Sequence, residues 1–256
     1  MPTFLHSKGV HLAIDGYDHT LVADDSGDQT TADVADVTVY GSNGDKNFLA
    51  GQLNRKAMVS GVIDCSTGVL SVTRNTLEAT LGSSTPRKIS YCPAGVAVGA
   101  HARLFSGHCE KYDMKSPVKD ALRFDASFVE FSSDGIPQEA QKDGSGVVVL
   151  SLTTASAATT QSGTGQDGGA ASAAGYSAHL HQMGTIAANT IVCKLQHSSN
   201  NATWSDLVAW TNLTTGVVRA QRASSTSASV KRYVRGTVSG HVSASKPPIL
   251  MTFARR

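Results

Sequence analysis

No run of about 18 apolar residues occurs anywhere in this chain, so no stretch of it reads as a membrane-spanning helix. The opening residues, MPTFLHSKGVHLAIDG, lack the basic segment, long apolar core and small-residue cleavage site of a secretion leader, and export by that route is not expected. Cysteine is scarce: Cys65, Cys92, Cys109 and Cys193 lie far apart and form no CxxC pair, which predicts reduced, buried thiols in a protein made in a cytoplasm. No GxSxG, HExxH or close carboxylate pair is present, so hydrolytic chemistry has no candidate nucleophile. Charged residues amount to only 16%. With 24 glycines and abundant Ser, Thr, Ala and Val, the low charge favours a β-rich protein with many turns. An apolar content of 40% over 256 residues suffices for one large or two modest cores, hence one or two domains.

Residues 36–64, DVTVYGSNGDKNFLAGQLNRKAMVSGVID, hold the most organised pattern. In DVTVY, Val37 and Val39 share one face while Asp36, Thr38 and Tyr40 share the other, the period of a half-buried strand. GSNGD interrupts it, and a β-branched apolar stretch resumes over residues 56–64 after a turn at Gly51, so two strands joined by a long loop are predicted. Asn75 as N-cap, Glu78 at N3 and Gly82 beyond Leu81 predict a short helix over residues 76–81, with Leu77 and Leu81 as its buried stripe. Alternation over residues 122–131 predicts a long core strand. Turn residues at 142–146 then precede the apolar run Val147-Val148-Val149-Leu150, and a domain boundary is expected between residues 146 and 147. Charge divides at the same place: residues 1–146 hold 13 Lys/Arg against 18 Asp/Glu, and residues 147–256 hold 9 against 2.

In the second half, residues 153–175 lose periodicity and are expected to form a mobile or surface loop. Cys193, Leu195 and His197 share one face of a predicted strand that turns at Asn200-Asn201, where positive φ is tolerated. Trp204 and Leu207 are expected to close a small β-sandwich with Tyr233 or Val234. Gly163-Thr-Gly-Gln-Asp-Gly168 matches GxGxxG, yet no helix of good propensity follows and no carboxylate stands about 20 residues on, so no dinucleotide site is expected. His179 and His181 fall on one strand face, and His101, His108 and Cys109 form another possible cluster. Satisfied or exposed side chains are the plainer reading of both, because a metal needs three or four convergent ligands. The sequons at Asn201 and Asn212 are glycosylation sites in form only. The cations of the second half are spread over strands, and its aromatics Tyr176, Trp204, Trp210, Tyr233 and Phe253 show no stacking platform for nucleic acid.

Thr38-Val39-Tyr40-Gly41, Phe48-Leu49-Ala50-Gly51 and the strand from Val59 to Asp64 resemble, in that order, a pattern of the major tail tube proteins of long, non-contractile-tailed bacteriophages. Ala50 stands where the family has proline. His11 to Asp18, residues 102–135, VCKLQHSSNNATWSDL and SVKRYVRGTV extend the resemblance along most of the chain.

The resemblance implies a mostly β protein: a tail-tube β-sandwich with one short helix over residues 1–146, then a smaller outer C-terminal β-sandwich domain over 147–256. It implies a virion structural protein with no cofactor, made in the host cytoplasm and resident in the tail. Six copies would close a ring, and rings would stack into a tube. The tape measure protein would occupy the lumen, tail-completion and tail-tip proteins the ends, and DNA would pass through transiently. An acidic first half suits that conduit, since a negative wall repels phosphates. The loop from Gly41 to Gly51, with Lys46 and Phe48, is expected to reach a neighbouring subunit; Tyr40 and, in the N-terminal arm, Phe4 and His6 are further contact candidates. Two rivals stand beside this reading. One is a carbohydrate-binding tail accessory protein with Trp204 and Trp210 as the sugar platform. The other is an enzyme on a β-scaffold, for which no convergent ionisable groups are found.

Overall fold

A computed structural model describes residues 9–20, 22–36, 48–63, 77–116, 121–130, 146–152, 160–184, 186, 190–214, 220–240 and 247–255, without the side chains of 28, 30, 32–36 and 48–55. In chain order the strands are β1 (His11–Ile14), β2 (Tyr17–Asp18), β3 (Ala23–Asp36), β4 (Phe48–Val62), β5 (Arg87–Cys92) and β6 (His101–Lys115). Next come β7 (Arg123–Glu130), β8 (Gly146–Leu152), β9 (Thr160–Ser162), β10 (Gln166–Asp167) and β11 (Tyr176–Gln182). The remainder are β12 (Val192–Ser198), β13 (Ser205–Ala209), β14 (Ala220–Ser225), β15 (Tyr233–Ser239) and β16 (Ile249–Arg255). The protein is mostly β, as expected; of the predicted helix 76–81, Leu77 is helical and Glu78–Thr80 form a 3-10 turn, while Asn75 and Thr76 lie outside the described residues. Leu77 is buried, but Leu81 is extended and 48% exposed, bridged to Cys109 rather than stacked under Leu77.

Two compact units divide the chain: Met1–Leu21 with Arg87–Ser106 and Ser132–Arg256, and Val22–Pro86 with Gly107–Phe131. The boundary expected between residues 146 and 147 falls inside the larger unit, where β8 pairs with β16 and with the start of β6.

In the larger unit, two sheets enclose one core. The strands β14, β11, β16 and β8 lie side by side, opposite β10, β15, β12 and β13 with β9 also paired to β15. Leu150, Leu180, Met251 and Phe253 from the first sheet meet Cys193, Leu195, Val208, Val234 and Val238 from the second. Every residue of this core lies between Val149 and Phe253, so the sandwich expected of the last part of the chain is there. Burial raises the Cys193 thiol to about 12, in keeping with an inert core residue. Residues 160–167 of the aperiodic tract add β9 and β10 as short strands on β15. Asn201 takes φ 59° in the predicted turn. The other face of the first sheet is covered too, by β1 and β5 through Ala13, Cys92, Leu250 and Ala254. All seven residues of β11 are consequently buried.

In the smaller unit β3 pairs with β4, β4 with β7, and β7 with the later part of β6, all antiparallel. Val59, Phe124, Ala126 and Phe128 are buried on its inner face. The core strand predicted over 122–131 is β7. The turn predicted at Gly51 is absent: β4 starts at Phe48 and runs straight through Ala50 and Gly51. Its partner is the polar stretch ADDSGDQTTADVAD of β3, which ends where the predicted strand 36–40 begins; residues 37–47 lie outside the described residues.

Candidate functional site

The smaller unit carries an unusual arm. Pairing of β4 with β7 stops at Lys56↔Val129, whereas pairing of β3 with β4 continues from Gln29↔Lys56 to Asp36↔Phe48. Among the described residues no third strand lies against this extension, which is a two-stranded ribbon with a register shift between Ala32 and Val34. At about 3.4 Å per residue the arm reaches about 27 Å past the last β4–β7 pair. An isolated ribbon is marginal in water, and its edges are templates for another strand.

Beside the arm the outer sheet face is laced with opposite charges. Lys56 pairs with Glu110 at 2.9 Å and Lys111 with Asp113 at 2.6 Å, while Lys115 pairs with Asp125 and Arg123 with Asp24. Exposed pairs of this kind stabilise little, but they keep a flat sheet from sticking indiscriminately. Met58, 45% exposed, sits in a groove of about 510 Å³ lined by Asp25, Gln29, Lys56, Lys111 and Asp125.

A second cluster lies inside the larger unit, where β1 and β5 cover β11 and β16. The Gly16 N–H donates to His181 Nδ1 at 3.2 Å, which places the proton of the neutral ring on Nε2, 2.9 Å from Ser90 Oγ. Ser90 Oγ also lies 2.9 Å from Thr252 Oγ1 and 3.5 Å from His179 Nδ1. His11 Nδ1 is 2.9 Å from Thr20 Oγ1. His19 is wholly buried, and neither of its ring nitrogens meets a partner among the described residues. Burial holds His19 and His181 down to about 4, with Asp18 and Asp15 opposing; His179 is lowered well below 6.5 by burial and by neighbouring His181. The imidazoles are neutral, enclosed and unreachable by substrate. No group of three or more His, Cys, Asp or Glu among the described residues is placed to hold a metal ion.

The other residues singled out in the sequence scatter. Phe4, His6, Tyr40 and Lys46 lie outside the described residues, and Phe48 opens β4 in the arm. His101 is exposed, while His108 Nδ1 bonds the Ser83 carbonyl at 2.9 Å. Trp210, 6% exposed, belongs to the sandwich core and cannot form half of a surface platform with Trp204, which stays partly exposed. The GxGxxG match is a packing motif. A Cβ at Gly163 would stand 2.1 Å from the Val149 carbonyl oxygen and one at Gly168 would stand 2.5 Å from the Arg255 guanidinium, so these glycines let β9 and β10 lie close against the sandwich. Gly163→Val is expected to lower the melting temperature by about 5 °C through overpacking, and a scanning calorimeter checks it.

No protein-family model and no curated protein matches the chain. Among solved structures it is similar to a chain in the virion of a native gene transfer agent particle, at 11% identity over 51% of this chain and 96% of that one, TM-score 0.40. It is similar also to a chain in the tail of an empty gene transfer agent particle with C6 symmetry, at 12% identity over 48% and 90%, TM-score 0.37. A third is the SPP1 Dit (gp 19.1) protein, described as a paradigm of the hub adsorption apparatus in phages infecting Gram-positive bacteria, at 11% identity over 96% and 99%, TM-score 0.37. Superpositions this loose carry no functional information.

Proposed function

We propose that this chain is a structural protein of a bacteriophage tail that assembles with copies of itself into stacked rings, six to a ring, forming the tube through which DNA leaves the virion. The β3–β4 arm carries the reading. Among the described residues the ribbon outruns the sheet behind it, and such a two-stranded extension is a joint in a ring, where strand edges find a neighbour. The arm leads into the segment containing Lys46, which with Phe48 is the contact candidate of the sequence. The order of motifs resembling tail tube proteins supports the same reading. In such a tail the lumen would hold the tape measure protein before DNA, and the tube ends would meet tail-completion and tail-tip proteins.

Electron microscopy of the purified protein across a concentration and salt series tests the proposal. Rings or hollow tubes are expected from the native sequence, and Lys46→Glu combined with Phe48→Ala is expected to leave monomers of unchanged melting temperature. Full-length tubes from that double variant would remove the arm from the assembly.

A further inference from the structure

The outer face of the second sheet carries a side-chain array that tube assembly leaves without a role. On β12 and β15 the core takes Cys193, Leu195, Val234 and Val238, and the alternation sends Lys194, Gln196 and Arg235 to the opposite face. Gln196 stands across from Arg235 on one side and Asp206 on the other. The Arg235 guanidinium lies 4.1 Å over the Trp204 ring, and its Nε and one Nη donate to Gln196 Oε1 at 3.1 and 2.9 Å. Gln196 Nε2 donates in turn to Asp206 Oδ1 at 2.9 Å, and Lys194 Nζ reaches Asp206 Oδ2 at 2.7 Å. Ser205, paired with His197, turns to the opposite face, where its hydroxyl receives Lys231 Nζ at 2.9 Å.

The charges of this face do not cancel. Lys194 is answered by Asp206, and Arg232 by Asp167 at 2.7 Å. Arg235 has no carboxylate partner among the described residues and bonds only a neutral amide. The amide takes the Nε–Nη2 edge of the guanidinium, which leaves the Nη1–Nη2 fork uncommitted among the described residues. Stacking on Trp204 fixes the plane of that fork, so little rotamer freedom is left to lose when a ligand arrives. A planar, singly charged carboxylate matches the fork with two parallel hydrogen bonds. Asp206 nearby can accept hydrogen bonds from a ligand, and a ligand rich in hydroxyl groups supplies them. An acidic peptide or a dianionic phosphate would instead bring negative charge against Asp206 without that return.

We propose that this face binds an acidic saccharide, a chain containing uronic acid, with Arg235 gripping the sugar carboxylate and Asp206 taking ring hydroxyls. Trp204 orients Arg235. The site differs from the tryptophan platform first suggested by the sequence, because the binding group is the cation above the ring.

Titration calorimetry of the full chain with oligogalacturonate tests it, alongside neutral oligogalactose and polyglycerol phosphate. Saturable binding of oligogalacturonate, weakened about tenfold or more by Arg235→Gln and by Arg235→Lys, is expected, since both lose the fork and only the first loses the charge. Arg232→Gln, at a guanidinium already engaged by Asp167, is expected to bind normally. Melting curves on each variant verify folding. The proposal is overturned by no binding of oligogalacturonate, by equal affinity of native and both Arg235 variants, or by equal or tighter binding of the neutral or phosphate chain.

Discussion

Acidification from about pH 7.5 to about pH 5 is expected to cost this protein roughly 4 kcal/mol of stability, most of a typical domain's margin. The cause is the enclosed imidazoles. His19 and His181 titrate near 6.5 when unfolded and are pushed down to about 4 by burial in the folded chain. Between those values the unfolded chain binds protons that the folded chain refuses, so stability is full above about pH 6.5 and falls until about pH 4. At about pH 5 each group has lost roughly 2 kcal/mol. His179, lowered in the same direction and T-shaped against His181 at 5.9 Å, adds to the effect. Urea midpoints across this range give the measurement. His19→Gln should flatten the pH profile by about half, whatever it does to absolute stability; an unchanged slope would mean that the exposed carboxylates govern acid sensitivity instead.

Truncation of Phe253 is the second large effect. The ring is buried between the sheets and stacked on Tyr176, with centroids 6.1 Å apart and planes at 27°. It also walls a cavity of about 390 Å³ shared with Val147, Gln166, Val234 and Arg255. Arg255 bonds the Ala170 carbonyl at 2.6 Å and also the carbonyls of Lys231 and Arg232, so the rim cannot collapse freely into a new void. Phe253→Ala should therefore fall at the high end of its class, about 3–5 kcal/mol, with a melting temperature lower by about 10 °C. A drop of a degree or two in calorimetry would show that the two sheets close over the gap.

Strands with strong alternation were legible in the sequence: β7, β8, β12 and β15 fall where predicted, and the sandwich follows from their apolar faces. β11 shows what a shared strand face leaves open. His179 and His181 read as satisfied or exposed side chains, and they are the satisfied kind, buried under a second layer with Ser90 Oγ between them and Thr252. Nothing local announces a covering layer drawn from residues about 90 positions away. β3 was missed altogether. Its composition is that of a loop, and it is a strand because β4 supplies the register. The arm was legible only as a long excursion, and the Trp204–Arg235 pair not at all, since it joins residues from β15 and the turn before β13.

β16 lies between β11 and β8, in the middle of its sheet, yet it is the final strand of the sequence described. During synthesis β8 leaves the ribosome about a hundred residues before the strand that will pair with it, at ordinary elongation rates a wait of about 5–20 s. For that interval Val149 and Leu150 have half a sheet and no lid. Truncation before Ile249 would therefore leave not a slightly shortened sandwich but one missing its keystone, the strand that joins β11 to β8.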